Sequence, residues 1–166
     1  MKRTSLRFIV PAVLAAASCS SSSPSRIPRP STCGGTVTAQ GQIDSAAFSA
    51  DYVRVTGVNG NAIVVSIADT TKPPVLTLQL MRDTTTSSFP TGTVQNEAVL
   101  YDPNRVGTAE LNVTAVVDPY DASGSPALNA DGGSVGSIEA AFTATFMGAT
   151  ITGSFSSPVC ETTDHV

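Results

Sequence analysis

The stretch YVRVTGVNGNAIVVSIAD, residues 52–69, sets the fold class of this chain. In its first half apolar residues such as Val53 and Val55 alternate with polar ones, which is the period of two that a β-strand has. Asn59 and Gly60 then tolerate the positive φ angles that a type I′ turn requires. An apolar segment returns directly after them, so the stretch predicts an antiparallel hairpin.

The same alternation recurs along the chain, and turn residues separate the segments. We predict about eight strands, in segments 36–44, 48–58, 61–69, 75–83, 93–102, 107–118, 135–147 and 150–160. No segment has the period of an amphipathic helix. The pattern predicts an all-β domain, either an antiparallel β-sandwich or a small β-barrel, and leaves these two architectures open.

Two segments carry a clear prediction of which face is buried. In segment 107–118 we expect one face to hold Leu111, Val113, Ala115 and Val117. In segment 135–147 the alternation is strict, and a single face is predicted to carry Ile138, Ala140, Phe142, Ala144 and Phe146.

The first residues have the composition of a secretory signal peptide. Lys2, Arg3 and Arg7 precede ten uncharged residues, FIVPAVLAAA. A basic start, a short apolar segment and small residues ahead of a cleavage site are typical of export signals. The apolar run is shorter than the ~20 residues that a membrane-spanning helix needs. We therefore predict a signal peptide over residues 1–18.

Cys19 gives the signal a more specific interpretation. LAAASC, ending at Cys19, resembles the lipobox of bacterial lipoproteins, in which the cysteine becomes the first mature residue and is acylated. Ala16 stands where the usual pattern has leucine. Acyl chains contribute ~0.8 kcal/mol per buried CH₂, so several chains would anchor the protein to a lipid bilayer. The alternative is ordinary cleavage after residues 15–17, which would release a soluble secreted protein.

Residues 19–32 are predicted to be a disordered tether that is rich in serine and proline. Such a segment cannot bury enough apolar surface to offset its ordering entropy, and its prolines keep it extended. Ser20, directly after the cysteine, favours the outer membrane of a two-membrane bacterium. We place a single domain at 33–160 and a disordered tail at 161–166.

Composition excludes some classes of partner. The chain has 9 Lys and Arg against 13 Asp and Glu, and three of the basic residues lie in the signal peptide. A nucleic-acid-binding protein needs basic patches, so no nucleic acid partner is expected. The chain contains no Trp and few aromatic residues, which disfavours carbohydrate binding.

Cys33 and Cys160 would be the two cysteines that remain after Cys19 is acylated. In an exported protein such a pair favours a disulfide, and closing so long a loop is worth ~4 to 5 kcal/mol in the chain-entropy model. The alternative is two free thiols. Neither CxxC spacing nor a cluster of metal ligands is present in the sequence, so we predict no metal and no cofactor.

The loop that follows segment 107–118 is the one candidate cation site. It carries Asp118, Asp121, Asn129 and Asp131, and oxygen ligands in a flexible loop suit Ca²⁺. We favour the simpler interpretation that these side chains cap turns by bonding their own backbone. The lone His165 is the penultimate residue of the sequence, where no rigid base is expected, so no catalytic residue is predicted.

Several phrases in order carry a family resemblance. They are GQIDSAAFSAD, NAIVVSIAD, FPTGTV, EAVLYD, GGSVGSIEAAF and ATITGSFS. They resemble the DUF6252-like class of small bacterial envelope lipoproteins of unknown function. The motifs are an opening at Gly41, Phe48 and Ala50, an edge at 92–94 in which Val replaces Tyr, and a closing strand at 151–155. The resemblance covers most of residues 36–157 and implies an envelope-tethered all-β domain.

These observations together predict a membrane-anchored lipoprotein of the bacterial cell envelope, at the outer membrane, with a non-enzymatic binding or accessory domain. One alternative is a lipocalin-like carrier of an apolar ligand. The other is an envelope hydrolase, which would need Glu110 or Glu139 to meet a second acid in a pocket. Alternation instead predicts that Glu97, Glu110 and Glu139 lie outward.

Overall fold

A computed structural model describes residues 34–101, 104–130, 133 and 135–163. In this part of the chain the fold is all-β, as predicted. The predicted signal peptide and tether, together with Cys19, Cys33 and His165, lie outside the described residues. The strands are β1 (Thr36–Ile43), β2 (Ala46–Ala50), β3 (Tyr52–Val58), β4 (Ala62–Asp69), β5 (Lys72–Met81), β6 (Gly92–Tyr101), β7 (Arg105–Val117), β8 (Ser137–Phe146), β9 (Ala149–Pro158) and β10 (Glu161–Thr163).

Strands β1 to β9 form one nearly closed, barrel-like antiparallel sheet. From β3 to β9 each strand pairs with the next, and β1 then pairs with β9. β2 and β3 are successive lengths of chain separated only by Asp51, and they pair with β1 and β4 respectively. Because β2 and β3 follow one another along the same line, they count as one strand of the barrel, and eight such strands surround the core. The architecture is therefore a barrel and not a sandwich.

The core is one contiguous cluster of inward-facing side chains. Ile63, Val65 and Ile67 on β4 are fully buried, and so are the leucines Leu76 and Leu78 on β5. Burying each such side chain stabilises the fold by about 1.5–3 kcal/mol. The predicted inward face of β8 is confirmed, because all five of its residues lie in the cluster.

The prediction for β7 is correct only in its first half. Leu111 and Val113 are buried, but Ala115 and Val117 are exposed. The register with β8 shifts between Val113 and Ala115. A bulge adds one residue to a strand, and with a period of two this reverses the face of everything that follows. Val116 packs against the core instead.

Two inward glycines allow β1 and β9 to approach closely. A Cβ on Gly41 would overlap the carbonyl oxygen of Thr150, and a Cβ on Gly153 would overlap that of Thr38. Both positions pair across the β1–β9 ladder. Glycines of this kind let a strand curve where a sheet closes into a barrel.

The barrel has two rims, which we name by their distance from Gly34. The near rim holds Gly34 and Gly35, the β3–β4 turn, the β5–β6 and β7–β8 loops, and the end of β9. The far rim holds the β1–β2, β4–β5, β6–β7 and β8–β9 turns. The described residues include no helix that is long and apolar enough to cross a membrane.

The C-terminal boundary differs from the prediction. Glu161–Thr163, assigned from the sequence to a tail, form β10 and pair in parallel with Thr56–Val58 of β3. The backbone N–H of Cys160 donates to the carbonyl of Val55 at 2.7 Å just before this strand. The domain therefore extends to Thr163. A three-residue parallel strand has no pattern of its own in the sequence, because only its partner makes it a strand.

Candidate functional site

A broad, open groove of about 1100 Å³ lies on the outer face of the far rim. It runs across β2, β1 and β9 and reaches the β1–β2 and β8–β9 turns. Its lining residues are Gln40, Gly41, Gln42, Asp44, Ser45, Ala47, Phe48, Ser49, Phe146, Gly148, Ala149, Thr150 and Thr152. We call this surface the far-rim groove.

A tight turn positions the β2 wall of the groove. Asp44 and Ser45 both have positive φ, at 48° and 72°, and they join β1 to β2 with Ile43 opposite Ala46. Short polar residues tolerate this conformation and a type I′ turn requires it. The N–H of Asp44 donates to the carbonyl of Gly148 at 3.1 Å, which fastens this turn to the β8–β9 turn.

The lining of the groove is polar but almost uncharged. Asp44 is its one carboxylate, and Arg105 forms an ion pair with it. Arg105 also donates to the carbonyl oxygen of Met147 at 2.6 Å. Amide and hydroxyl side chains supply the remaining polar groups. Such a lining can donate and accept hydrogen bonds with a neutral polar ligand, and among the described residues that line the groove Asp44 has no second acid beside it.

A second hollow of about 330 Å³ lies on the outer face of β1, β7, β8 and β9. Glu139 is its one acidic lining residue, beside Thr38, Thr114 and Ser154. Glu97, Glu110 and Glu139 are all exposed, as predicted. Glu110 accepts a hydrogen bond from the side-chain amide of Gln95 at 2.7 Å. The two glutamates on which a hydrolase would depend are thus solvated residues of the sheet surface.

Asp118 and Asp121, the acidic residues of the β7–β8 loop that the structure describes, each accept hydrogen bonds from nearby backbone groups. Asp118 accepts a hydrogen bond from the backbone N–H of Tyr120 at 2.9 Å, and its carboxylate binds Arg82. Asp121 accepts bonds from the hydroxyl and N–H groups of Ser123. Its exposed carboxylate has a lowered pKa, chiefly because of the Ser123 hydroxyl.

The rest of the loop follows the same turn chemistry. The side-chain oxygen of Asn129 accepts from the N–H of Gly133 at 2.9 Å, and Asp131 lies outside the described residues. Within the part of the chain that the structure describes, no three His, Cys, Asp or Glu residues are grouped to hold a metal ion. Turn capping, the favoured interpretation, accounts for the bonds that Asp121 and Asn129 accept and for the bond from Tyr120 to Asp118. The ion pair of Asp118 with Arg82 is instead a contact between two loops.

Arg82 is a structural residue that sequence reasoning missed. Its guanidinium lies 5.1 Å from the ring centre of Phe89 and 5.5 Å from that of Tyr120. It also donates to both oxygens of Asp118, at 2.6 and 2.7 Å. The contact joins the β5–β6 loop, which carries Phe89, to the β7–β8 loop. A cation beside two aromatic rings and a carboxylate has no signal in the sequence, because strands β6 and β7 separate Arg82 and Phe89 from Asp118 and Tyr120.

The structure describes only one of the two cysteines of the predicted disulfide, Cys160. Gly35 packs directly against the backbone and side chain of Ser157, so β1 begins beside the end of β9. Cys160 follows Ser157 by three residues and is partly buried. Cys33 lies outside the described residues, and the pairing of Cys33 with Cys160 stays a prediction.

Comparison of the chain with protein-family models, curated proteins and solved structures found no match. The resemblance to the DUF6252-like lipoproteins therefore stays a prediction from the sequence.

Proposed function

We propose that this protein is a non-enzymatic binding module of the bacterial cell envelope, anchored to the outer membrane through acylated Cys19. One observation carries the proposal. The chain enters the barrel at Gly34 on the near rim, and the far-rim groove lies at the opposite end. A domain tethered through residues 19–32 would therefore present the groove away from the bilayer.

The dimensions suit this arrangement. An extended tether of this length reaches up to ~40 Å, at ~3.3 Å per residue. β1 adds eight residues between the near rim and the far rim, or ~26 Å along the strand. The groove would stand clear of the lipid headgroups and face the space beyond them.

The lining supports binding rather than catalysis. General acid–base catalysis needs a positioned proton donor or acceptor, and nucleophilic catalysis needs an activated nucleophile. Asp44 is engaged by Arg105, and Ser45 and Ser49 are exposed. Glutamine, serine and threonine side chains instead suit hydrogen bonding to neutral polar groups, such as the main chain of a peptide.

The anchor is tested by Cys19→Ala in cells, with Ser20→Ala as the matched control. We expect the Cys19 variant to leave the membrane fraction or to accumulate as unprocessed precursor, and the Ser20 variant to stay membrane-bound. Blocking lipoprotein signal peptidase with globomycin should give the same precursor. Unchanged membrane partitioning of the Cys19 variant would refute the anchor.

A carrier of an apolar ligand is the second candidate. A barrel of eight strands can hold one small ligand, and small residues on its inner faces leave room for it. Ala98, Ala109 and Ala144 are fully buried there. Native mass spectrometry of protein isolated from its source distinguishes the two candidates. A stoichiometric co-purified lipid would favour the carrier, and ligand-free protein would favour the binding module.

A further inference from the structure

Strand β2 has one edge that none of the described strands covers. It pairs with β1 alone and stands last in the order of the sheet. Ala46, Ala47 and Ser49 are exposed, and the last two of these also line the far-rim groove. We call the side of β2 that faces away from β1 the open edge.

The turn that begins β2 fixes which main-chain groups point to the open edge. Ala46 pairs with the residue before the two-residue turn, so it bonds to β1. Bonded and non-bonded positions alternate along an antiparallel pair, so Ala47 and Ser49 turn their N–H and C=O groups away from β1. The N–H of Asp51, two residues further on this edge, donates to the carbonyl of Ala68 on β4 at 3.2 Å, in agreement with the alternation.

Turns limit the open edge at both ends. The β1–β2 turn lies at one end. At the other end the carboxylate of Asp51 accepts hydrogen bonds from the N–H of Thr70 at 2.9 Å and from its hydroxyl at 3.0 Å, which holds the β4–β5 turn in place. The five residues of β2 between these turns span ~17 Å, which matches an extended peptide of about five residues.

The same length of chain already accepts an added strand on its opposite edge. Beyond Asp51 it continues as β3, which pairs with β4 on the side of the open edge. On the other side Glu161–Thr163 pair with Thr56–Val58 as β10, a parallel strand of three residues. The change of partner at Asp51 thus leaves two edges outside the barrel ladder, and β10 covers the one on β3. A short extended segment is the kind of partner that such an edge binds.

The side chains of β2 do not protect its open edge. Natural sheets guard exposed edges with lysine, proline or bulges. The sequence of β2 is AAFSA, which has no charge and no proline, and its register with β1 is regular throughout. The small side chains of Ala47 and Ser49 let a second backbone approach closely.

We propose that the open edge of β2 binds an extended peptide segment of another protein as an added strand. The proposal deepens the binding module proposed above and rests on it. Main-chain hydrogen bonds to Ala47 and Ser49 supply the attraction, and the amide and hydroxyl side chains of the groove contact alternate residues of the peptide.

A second copy of this chain fits the open edge less well. Isologous pairing of two β2 strands is antiparallel and needs a two-fold axis perpendicular to the sheet. That axis turns the second barrel over, so Gly34 of the two copies would point in opposite directions. Two copies anchored in one bilayer through their N-terminal tethers do not meet in this orientation.

The test is NMR of the full-length lipidated protein in detergent micelles, with the end-blocked peptide Thr-Val-Thr-Val-Thr as the probe. We expect the peptide to shift the backbone amide signals of Ala47 and Ser49. The same peptide methylated on its backbone nitrogens cannot donate main-chain hydrogen bonds. Its affinity should be lower by about tenfold or more, as the loss of one or two hydrogen bonds implies.

Ser49→Pro is the matching change in the protein, and Ser49→Ala is its control. Proline is tolerated on an edge strand and removes the N–H that points to the open edge, whereas alanine keeps it. The proline variant should bind the peptide about tenfold more weakly than the alanine variant. If Ser49→Pro does not fold, the methylated peptide tests the same bonds on the unaltered protein.

Equal binding of the two peptides to the unaltered protein would overturn the proposal, as would equal affinity of the two folded Ser49 variants or no shift at all. Shifts confined to the side-chain amides of Gln40 and Gln42 would overturn the added strand and retain the groove as a binding site, so the two proposals fail separately. Shifts of Ala47 and Ser49 that depend on protein concentration without peptide would assign the edge to a second copy and overturn the peptide.

Discussion

We expect substitution of the partly exposed Arg82 to lower the free energy of unfolding of the domain strongly. Its side chain is only 14% exposed, and it lies between two rings and against Asp118, which is 34% exposed. Arg82→Ala removes both cation–π contacts, at about 0.5–1 kcal/mol each. It also leaves Asp118 without its guanidinium, which costs about 1–2 kcal/mol once partial solvation is allowed for. The expected loss is thus about 2–4 kcal/mol of unfolding free energy.

Urea denaturation followed by circular dichroism measures this loss as a shift of the midpoint at constant slope. Arg105→Ala is the matched control, because Arg105 pairs with Asp44, which is 60% exposed. An exposed pair contributes at most about 1 kcal/mol. Arg82→Lys keeps the charge but loses the planar stacking and the fork geometry, so an intermediate loss is expected.

Hydrogen exchange locates the effect. Without Arg82 the amides of the β7–β8 loop should lose protection before those of β4, because the contact joins this loop to the β5–β6 loop. An Arg82→Ala variant no less stable than Arg105→Ala would refute the reasoning. So would a loss of protection that is spread evenly over the barrel.

Three further results are expected. Gly41→Ala should lower the free energy of unfolding by about 1–3 kcal/mol, because the added Cβ would overlap backbone atoms. Gly34→Ala is the control and should be neutral, because the space around Gly34 is open. Equal urea midpoints for the two variants would contradict this. The pKa of the Asp121 carboxyl is lower in the folded protein than its ordinary value of 3.8. The ionised carboxylate therefore stabilises the fold above pH 3.8, and this stabilisation is lost as the pH falls through the pKa of the folded state. Asp121→Asn should weaken that acid dependence, and an unchanged pH profile would count against the turn contacts. Thiol labelling of unfolded, unreduced protein should find neither Cys33 nor Cys160 free, and two labelled thiols would refute the bridge.

Local pattern was sufficient for most of the strands and for the turn between β3 and β4. Asn59 and Gly60 both have positive φ, at 52° and 67°, as the predicted hairpin requires. The inward face of β8 and the outward glutamates follow from alternation alone. These features depend on residues one or two positions apart, and the sequence displays such relations directly.

The features that shape the site depend on contacts between distant segments. The bend at Asp51 lets one length of chain pair with β1 and then with β4, and this closes the barrel. The bulge near Thr114 reverses which side chains of the C-terminal part of β7 face the core. Arg82 contacts Phe89 and Tyr120, which lie in two different loops.

Local patterns in the sequence are enough to predict that the chain forms strands, that a hairpin turns at Asn59 and Gly60, and that alternate residues of β8 are buried. The barrel architecture, the neighbours of Asp44 and the position of the groove opposite Gly34 follow from the tertiary structure. The physical reason is the range of the forces involved. Alternation reports the burial of each residue, but the order in which strands pair is selected by the packing of the whole core.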